Sequence, residues 1–224
     1  MKNFLLALLP YMFHMIGVTV IQGALLYYFK YIYQNEGLFQ IALLFLLLSS
    51  MIFIPIWVLI SRKIGKKLSY NVGMAIFATA VILFFFFGQA GGVTFAYVVM
   101  AVAGIGFATN YVMPHSMLPD VVEYDYSEGG IRREGVFYSL WTFTNKVGAA
   151  FAMALNGWIL SAFGYAPDVP QTASAKLGIR VVCGPVPALF FIIGIAILSF
   201  YPITEKYYSK KIKKIREREA YNTG

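Results

Sequence analysis

The chain has 224 residues, of which 59% are hydrophobic and only 12% charged, with a formal net charge of +8. A soluble domain carries about twice that charged fraction, so a water-soluble globular protein is excluded. The basic residues cluster in breaks between apolar runs, which argues against nucleic acid as partner, and the one cysteine, Cys183, excludes an internal disulfide framework and a Cys-rich metal site.

The N-terminus (Met1-Lys-Asn, then apolar) imitates a signal peptide but lacks a small-residue cleavage site. Its apolar run continues to about Phe29, so it reads as a membrane helix. Further runs follow, giving spans at 4–30, 38–60, 70–88, 93–113, 135–163 and 180–203, each near or above the ~20 residues that cross a bilayer. Short polar breaks lie at 33–37, 61–67 and 88–92, with longer ones at 114–134 (charged) and 164–178. The expected fold is an all-α membrane protein: a six-helix bundle over 1–203 and a basic cytoplasmic tail over 204–224.

In the first span Tyr11, His14 and Gln22 lie on one broad face and Thr19, Gly23 and Lys30 on the other. His14 is a candidate to hold or relay a proton; a packed, hydrogen-bonded imidazole is the competing reading. Lys30, near the outer end, reads as snorkelling to the interface. In the fourth span Gly104 and Gly106 read as close helix packing rather than phosphate binding, since no strand precedes them. Pro114 and Pro119 are expected to end or kink that helix, and His115 between them is too isolated for a metal ligand.

The fifth span carries the most informative residue. Lys146 lies ~14 Å along the helix from Phe137, near the middle of a hydrocarbon core ~30 Å thick. A charge there costs roughly 3 kcal/mol on insertion scales, so it is expected to face a wet cavity or a partner. Tyr138, Ser139, Thr142, Asn145, Lys146 and Asn156 fall within an arc of about 120°. Such a stripe points to an aqueous cavity, or else to hydrogen bonds with neighbouring helices. Hydroxyl, amide and ammonium groups beside Tyr138 and Trp141 suit a polyhydroxylated ligand. All ten Asp and Glu lie in loops, helix ends or the tail, so a counter-charge for Lys146 must come from a ligand, another chain or a missing half.

With both termini inside, the inner loops and tail hold fourteen Lys and Arg, including Lys2, Arg62, Lys63, Lys66, Lys67, Arg132 and Arg133. The outer side holds three: Lys30, Lys176 and Arg180. That bias sets the orientation.

The stretch Met117-Leu-Pro-Asp-Val-Val-Glu-Tyr-Asp-Tyr-Ser-Glu-Gly-Gly-Ile-Arg-Arg-Glu-Gly135 resembles the signature of the glycoside–pentoside–hexuronide:cation symporters, the melibiose-carrier branch of the major facilitators. Asp120, Glu123, Tyr124, Arg132, Glu134, Gly135 and Lys146 stand at the matching places, and Leu26–Tyr31 and the basic loop Arg62–Lys67 also fit. Two positions depart: Tyr126 stands where a second acid is usual, with Asp125 adjacent, and Ser61 replaces the Asp preceding Arg in many facilitators. The resemblance implies one half of a major-facilitator fold, two three-helix inverted repeats, matching the C-terminal half only, with Met1 at the family's seventh helix. It also implies a bacterial inner-membrane carrier of sugars or glycosides coupled to Na⁺ or H⁺, with no other cofactor and no enzymatic activity. A companion N-terminal six-helix bundle would carry the cation site, with Lys146 beside it.

The expected substrate and coupling residues are Lys146, Asn145, Thr142, Tyr138, Trp141, His14 and Gln22. The expected cytoplasmic gate comprises Asp120, Glu123, Arg132, Arg133 and Glu134, pairing when the inner side is closed; the competing reading is that these charges solvate a loop. Other functional readings are a lysolipid or amphiphile carrier on the same scaffold, and a non-transporting remnant or interaction subunit.

Overall fold

The computed structural model describes residues 2–129 and 133–202, and among them every regular element is an α-helix. Arg132 and the tail 204–224 lie outside the described residues. The helices are α1 (Lys2–Tyr31), α2 (Gly37–Ile64), α3 (Lys66–Gly129), α4 (Glu134–Ala162), α5 (Ala173–Cys183) and α6 (Pro185–Ser199). Four stretches are long and apolar enough to cross a membrane: Asn3–Tyr31, Gly37–Ile64, Lys66–Tyr126 and Ala173–Ser199. With 29 residues, α4 has the length, but its polar side chains keep it out of that set.

The chain's apolar runs leave their backbone groups no partner but one another in hydrocarbon, and helices satisfy that demand internally. In α3 the helical path is broken only at Gly92 (φ 69°, ψ −167°), a left-handed conformation that glycine adopts without a Cβ clash. Residues 88–91, read from sequence as a polar break, remain helical. The two arms, 66–91 and 93–129, fold back on each other. A Cβ at Gly106 would come within 2.5 Å of the Gly73 carbonyl oxygen, and the rings of Phe77 and Phe107 are 6.1 Å apart. Tyr33 reaches over the turn, its hydroxyl within reach of the Gly88 carbonyl and 3.2 Å from that of Gly92. Burial pushes this phenol up to about 12, so it stays a donor.

Pro114 and Pro119 do not end the helix. The charged stretch expected as a loop is helical to Gly129. Each proline removes only one N–H, and the surrounding packing holds the arm in line: Met113, Met117, Leu118, Val121 and Val122 are buried. The Lys66 ammonium binds the Ser116 carbonyl (3.0 Å) and the Asp120 carboxylate (2.6 Å), one on each side of Pro119. The last apolar segment also differs from the span read at 180–203. It begins at Ala173, where the Thr172 hydroxyl accepts from the Ala175 N–H (3.1 Å) as an N-cap. It breaks at Gly184, and Pro185 starts α6.

α1 is the central helix: 61% of its most apolar 18-residue stretch is buried, against 11% for α2. It packs chiefly against α6 and α4, while α2 packs on α3. Two hydrophobic clusters stack along α1, one around Ile16–Phe29 and one around Phe4–Tyr11. Lys67 caps the end of α6 from a distance, donating to the Ser199 (2.7 Å) and Tyr201 (2.9 Å) carbonyls, and Arg180 donates to the Phe85 carbonyl of α3 (2.7 Å).

The arm contact gives a direct expectation. Gly106→Ala drives a methyl into the Gly73 backbone and should lower stability by about 1–3 kcal/mol. Gly157→Ala, where a Cβ meets nothing within 4 Å, should change it by less than about 0.5 kcal/mol. Denaturation of the purified chain in one detergent checks both.

Candidate functional site: the polar flank of α4

α4 meets α1 through a stripe of buried residues at helical spacing, Phe137, Trp141, Gly148, Ala152, Asn156 and Leu160. On one side of that stripe Phe151 faces α6, its ring 6.5 Å from Phe190. Lys146 lies roughly 140° around the helix from Phe151, on the flank turned away from α6. Its neighbour Asn145 fixes where that flank looks, because the Asn145 amide donates to the Tyr11 hydroxyl of α1 (3.2 Å). The Tyr11 ring in turn stacks on Trp141 (4.5 Å, 13° between planes) and meets the edge of His115 of α3 (5.9 Å). α4, α1 and the second arm of α3 therefore share one face. Tyr138, Thr142 and Lys146 are exposed on its α4 side, Gln22 on α1, and Tyr111 and His115 one turn apart on α3.

Not every expected residue reaches that surface. Trp141 is 5% exposed and serves as a shelf beneath Tyr11. Asn156, on the same stripe by sequence, is buried and donates to the Val20 carbonyl (2.9 Å), where Gly23 lets the two helices touch. His14 is fully buried where the two clusters meet, stacked on Tyr70 (5.4 Å) and edge-on to Phe191 (5.2 Å). Neither of its ring nitrogens has a hydrogen-bond partner among the described residues. The flank thus brings together Tyr138, Thr142 and Lys146 over Asn145 and Trp141, with Gln22 across α1. His14 sits behind it.

At the inner end two ion pairs join described residues, while Arg132 of the expected gate lies outside them. Asp120 binds Lys66 (2.6 Å) and Arg133 binds Asp125 (3.0 Å). Glu123 is exposed on α3, and Glu134 opens α4, where a carboxylate suits the positive end of the helix dipole. At the outer end Lys30 binds Asp168 (2.9 Å) and Glu36 (3.1 Å) rather than merely reaching for water. Among the described residues no three His, Cys, Asp or Glu are grouped to hold a metal.

Sequence reasoning passed over Tyr11, Tyr111, His115 and Lys66 as site residues. The signal for Tyr111 and His115 was their four-residue spacing, hidden by reading Pro114 as a helix end. For Lys66 no sequence signal specified Asp120.

The family described as MFS/sugar transport protein matches residues 1–205. The chain belongs to this family. It is accordingly an integral membrane protein of a transporter family and not an enzyme. It is 30% identical over 206 residues to a glucuronide carrier protein homolog of Escherichia coli, covering 92% of this chain and 45% of that protein. A putative sulfoquinovose importer of the same organism is 34% identical over 157 residues, 69% of this chain and 33% of the importer. A sodium-dependent lysophosphatidylcholine symporter of Danio rerio is 26% identical over 221 residues, 94% of this chain and 40% of its own length. The chain spans less than half the length of these relatives.

The Lys66–Asp120 contact is partly buried, with the Asp120 side chain 18% exposed. A double-mutant cycle with Lys66→Met and Asp120→Asn should give a coupling of about 1–2 kcal/mol, between the values for exposed and buried pairs. Chemical denaturation of the four proteins reads it.

Proposed function

We propose that this chain is the C-terminal half of a secondary active transporter that moves a sugar together with Na⁺ or H⁺ by alternating access. The observation that carries the reading is the exposed polar flank of α4, with Lys146 at mid-helix and its Asn145 neighbour tied to α1. An ammonium ~18 Å along the helix from Glu134 is tolerable where water or a partner meets it. In this reading α3 crosses the membrane once with each arm, so the bundle has six crossings. The fourteen-to-three excess of Lys and Arg supports a reading in which both termini are cytoplasmic, in a bacterial inner membrane. A companion six-helix bundle supplies the other wall of the cavity, and the two halves rock about a site at the midplane. Tyr138 and Thr142 meet sugar hydroxyls, Lys146 helps hold the coupling site, and the Lys66–Asp120 and Arg133–Asp125 pairs brace the cytoplasmic ends. Two of the relatives carry sugar-derived solutes by name, a glucuronide and sulfoquinovose.

A second reading rests on a groove of about 290 Å³ between α1, α2 and α3, lined by apolar side chains such as Val18, Leu25, Leu43 and Phe77 with Gln22 and Tyr111 among them. With the lysophosphatidylcholine symporter among the relatives, this groove favours an amphiphile as solute. Competition decides between the two. If sugar uptake by the chain paired with its companion half is blocked by lysolipid and not by sugars, the amphiphile reading replaces the first.

In vesicles holding this chain alone, a Na⁺ or H⁺ gradient should drive no uptake of labelled sugar. In the paired carrier Lys146→Ala should lower gradient-driven uptake at least tenfold, roughly 1.4 kcal/mol or more, at equal membrane abundance. Coupled uptake by the lone chain, or full activity of the variant, contradicts the proposal.

A further inference from the structure

A polar group surrounded by apolar side chains is costly unless it is hydrogen-bonded, and two neighbours deep in the bundle are not. His14 of α1 is fully buried, and neither nitrogen of its imidazole has a hydrogen-bond partner among the described residues. Its ring lies against that of Tyr70, on the first arm of α3, with centroids 5.4 Å apart and planes 18° apart. Tyr70 is 1% exposed, and its hydroxyl is also without a partner among the described residues. A neutral imidazole has one donor and one acceptor, and a phenol can take either role. Two complementary groups therefore touch through their ring faces and leave their hydrogen bond unmade. Leaving buried donors and acceptors unpaired costs more than a typical hydrogen bond contributes, so an arrangement that pairs them competes with the one observed.

The surroundings of His14 let such an arrangement form. Pro10, one turn before it, supplies no N–H, so the Leu6 carbonyl loses its partner within α1. Gly17, three residues after it, leaves room for the Phe191 ring, which a Cβ would approach within 2.9 Å. Proline and glycine are where helices bend. The neighbours are adaptable as well. Met15 takes a contact from the Asn110 amide (3.3 Å), and the sulfur of Met74, one turn along α3 from Tyr70, would lie 3.3 Å from a Cβ at Gly194 of α6. Unbranched thioethers refill a changed space where branched side chains would not.

We propose that His14 and Tyr70 form a two-position switch at the waist of the bundle. In the position observed, the rings stack and their polar atoms are unpaired. In the other, the segment between Pro10 and Gly17 shifts until the Tyr70 hydroxyl donates to a His14 ring nitrogen. Packed interiors change between discrete arrangements rather than by continuous deformation, and this pair supplies one such alternative. Tyr11, three residues before His14, moves with the segment and takes the Asn145 contact of the α4 flank with it. The switch names no solute or ion, so it stands or falls apart from the function proposed above.

The chain has two histidines, which makes the imidazole nitrogens a direct probe. The full chain, labelled with ¹⁵N-histidine in lipid vesicles, is measured by solid-state NMR, and His115→Gln identifies the His14 signals by what it removes. His14 should give two sets of ring-nitrogen signals, one unbonded and one shifted by an accepted hydrogen bond. Tyr70→Phe keeps the ring without the hydroxyl and should abolish the bonded set. With Cys183→Ala, a Thr142→Cys reporter should react with an impermeant thiosulfonate at a rate changed at least threefold by Tyr70→Phe. A single unbonded set in the unaltered chain overturns the proposal. A bonded set that survives Tyr70→Phe assigns the partner to a held water and also overturns it, and an unchanged rate at position 142 overturns the link to the flank. Should Tyr70→Phe fail to fold, ¹³Cζ-tyrosine labelling of the unaltered chain decides: a dipolar contact from the bonded nitrogen to a tyrosine Cζ supports the switch, and its absence contradicts it.

Discussion

Hydrocarbon offers no hydrogen bonds, and the placement of polar groups in this chain answers to that constraint. Many polar side chains within the helical core have a partner, stand at an end, or turn onto the one shared face, while the His14 ring nitrogens and the Tyr70 hydroxyl are buried without a hydrogen-bond partner among the described residues. Trp57 donates to the Ile105 carbonyl (2.8 Å) and joins α2 to α3. Asn156 does the same between α4 and α1, and Ser61 and Ser69 turn back onto carbonyls of their own turns. Lys30, Lys66 and Lys67 bind carboxylates or terminal carbonyls near helix ends, and Arg180 binds the Phe85 carbonyl of α3. Lys146 is treated differently. It stands at mid-helix, exposed, beside an asparagine locked to the next helix.

That arrangement divides the polar residues of α4 into two kinds. Asn156 faces inward and serves packing; its amide reaches the Val20 carbonyl only because Gly23 offers no side chain there. Tyr138, Thr142 and Lys146 are exposed and make no hydrogen bond or ion pair with a described residue. Asn145 lies between the two groups, and through Tyr11 it couples the flank to the Trp141 shelf and to His115. A helix at the edge of a bundle can expose such a flank without loss, because its packing stripe with α1 is already complete.

Much of the fold was legible from apolar run lengths, since a bilayer fixes how many residues a span needs. What run lengths miss is continuity. The prolines were read as ending or kinking the helix, and α3 continues through Pro114 and Pro119 with buried neighbours and Lys66 packed beside them. Gly88–Gly92 was read as a loop, yet one glycine makes the turn. At the site, the residue types on α4 were legible from a 100° periodicity, but the flank's boundary was not. Trp141 and Thr142 are adjacent in sequence, and only the position of α1 decides that one is buried and the other exposed. The partner of Asp120 was illegible for a similar reason, since Lys66 is 54 residues away and meets it only once α3 has folded back.

The account turns on water reaching the α4 flank. In native membranes, with Cys183 replaced by alanine, single cysteines at Thr142, Phe143, Lys146 and Phe151 can be challenged with a membrane-impermeant thiosulfonate. Rapid modification at 142 and 146, with 143 and 151 protected, is the predicted result. Protection at 146 equal to that at 143, with reaction only to a lipid-soluble maleimide, contradicts it.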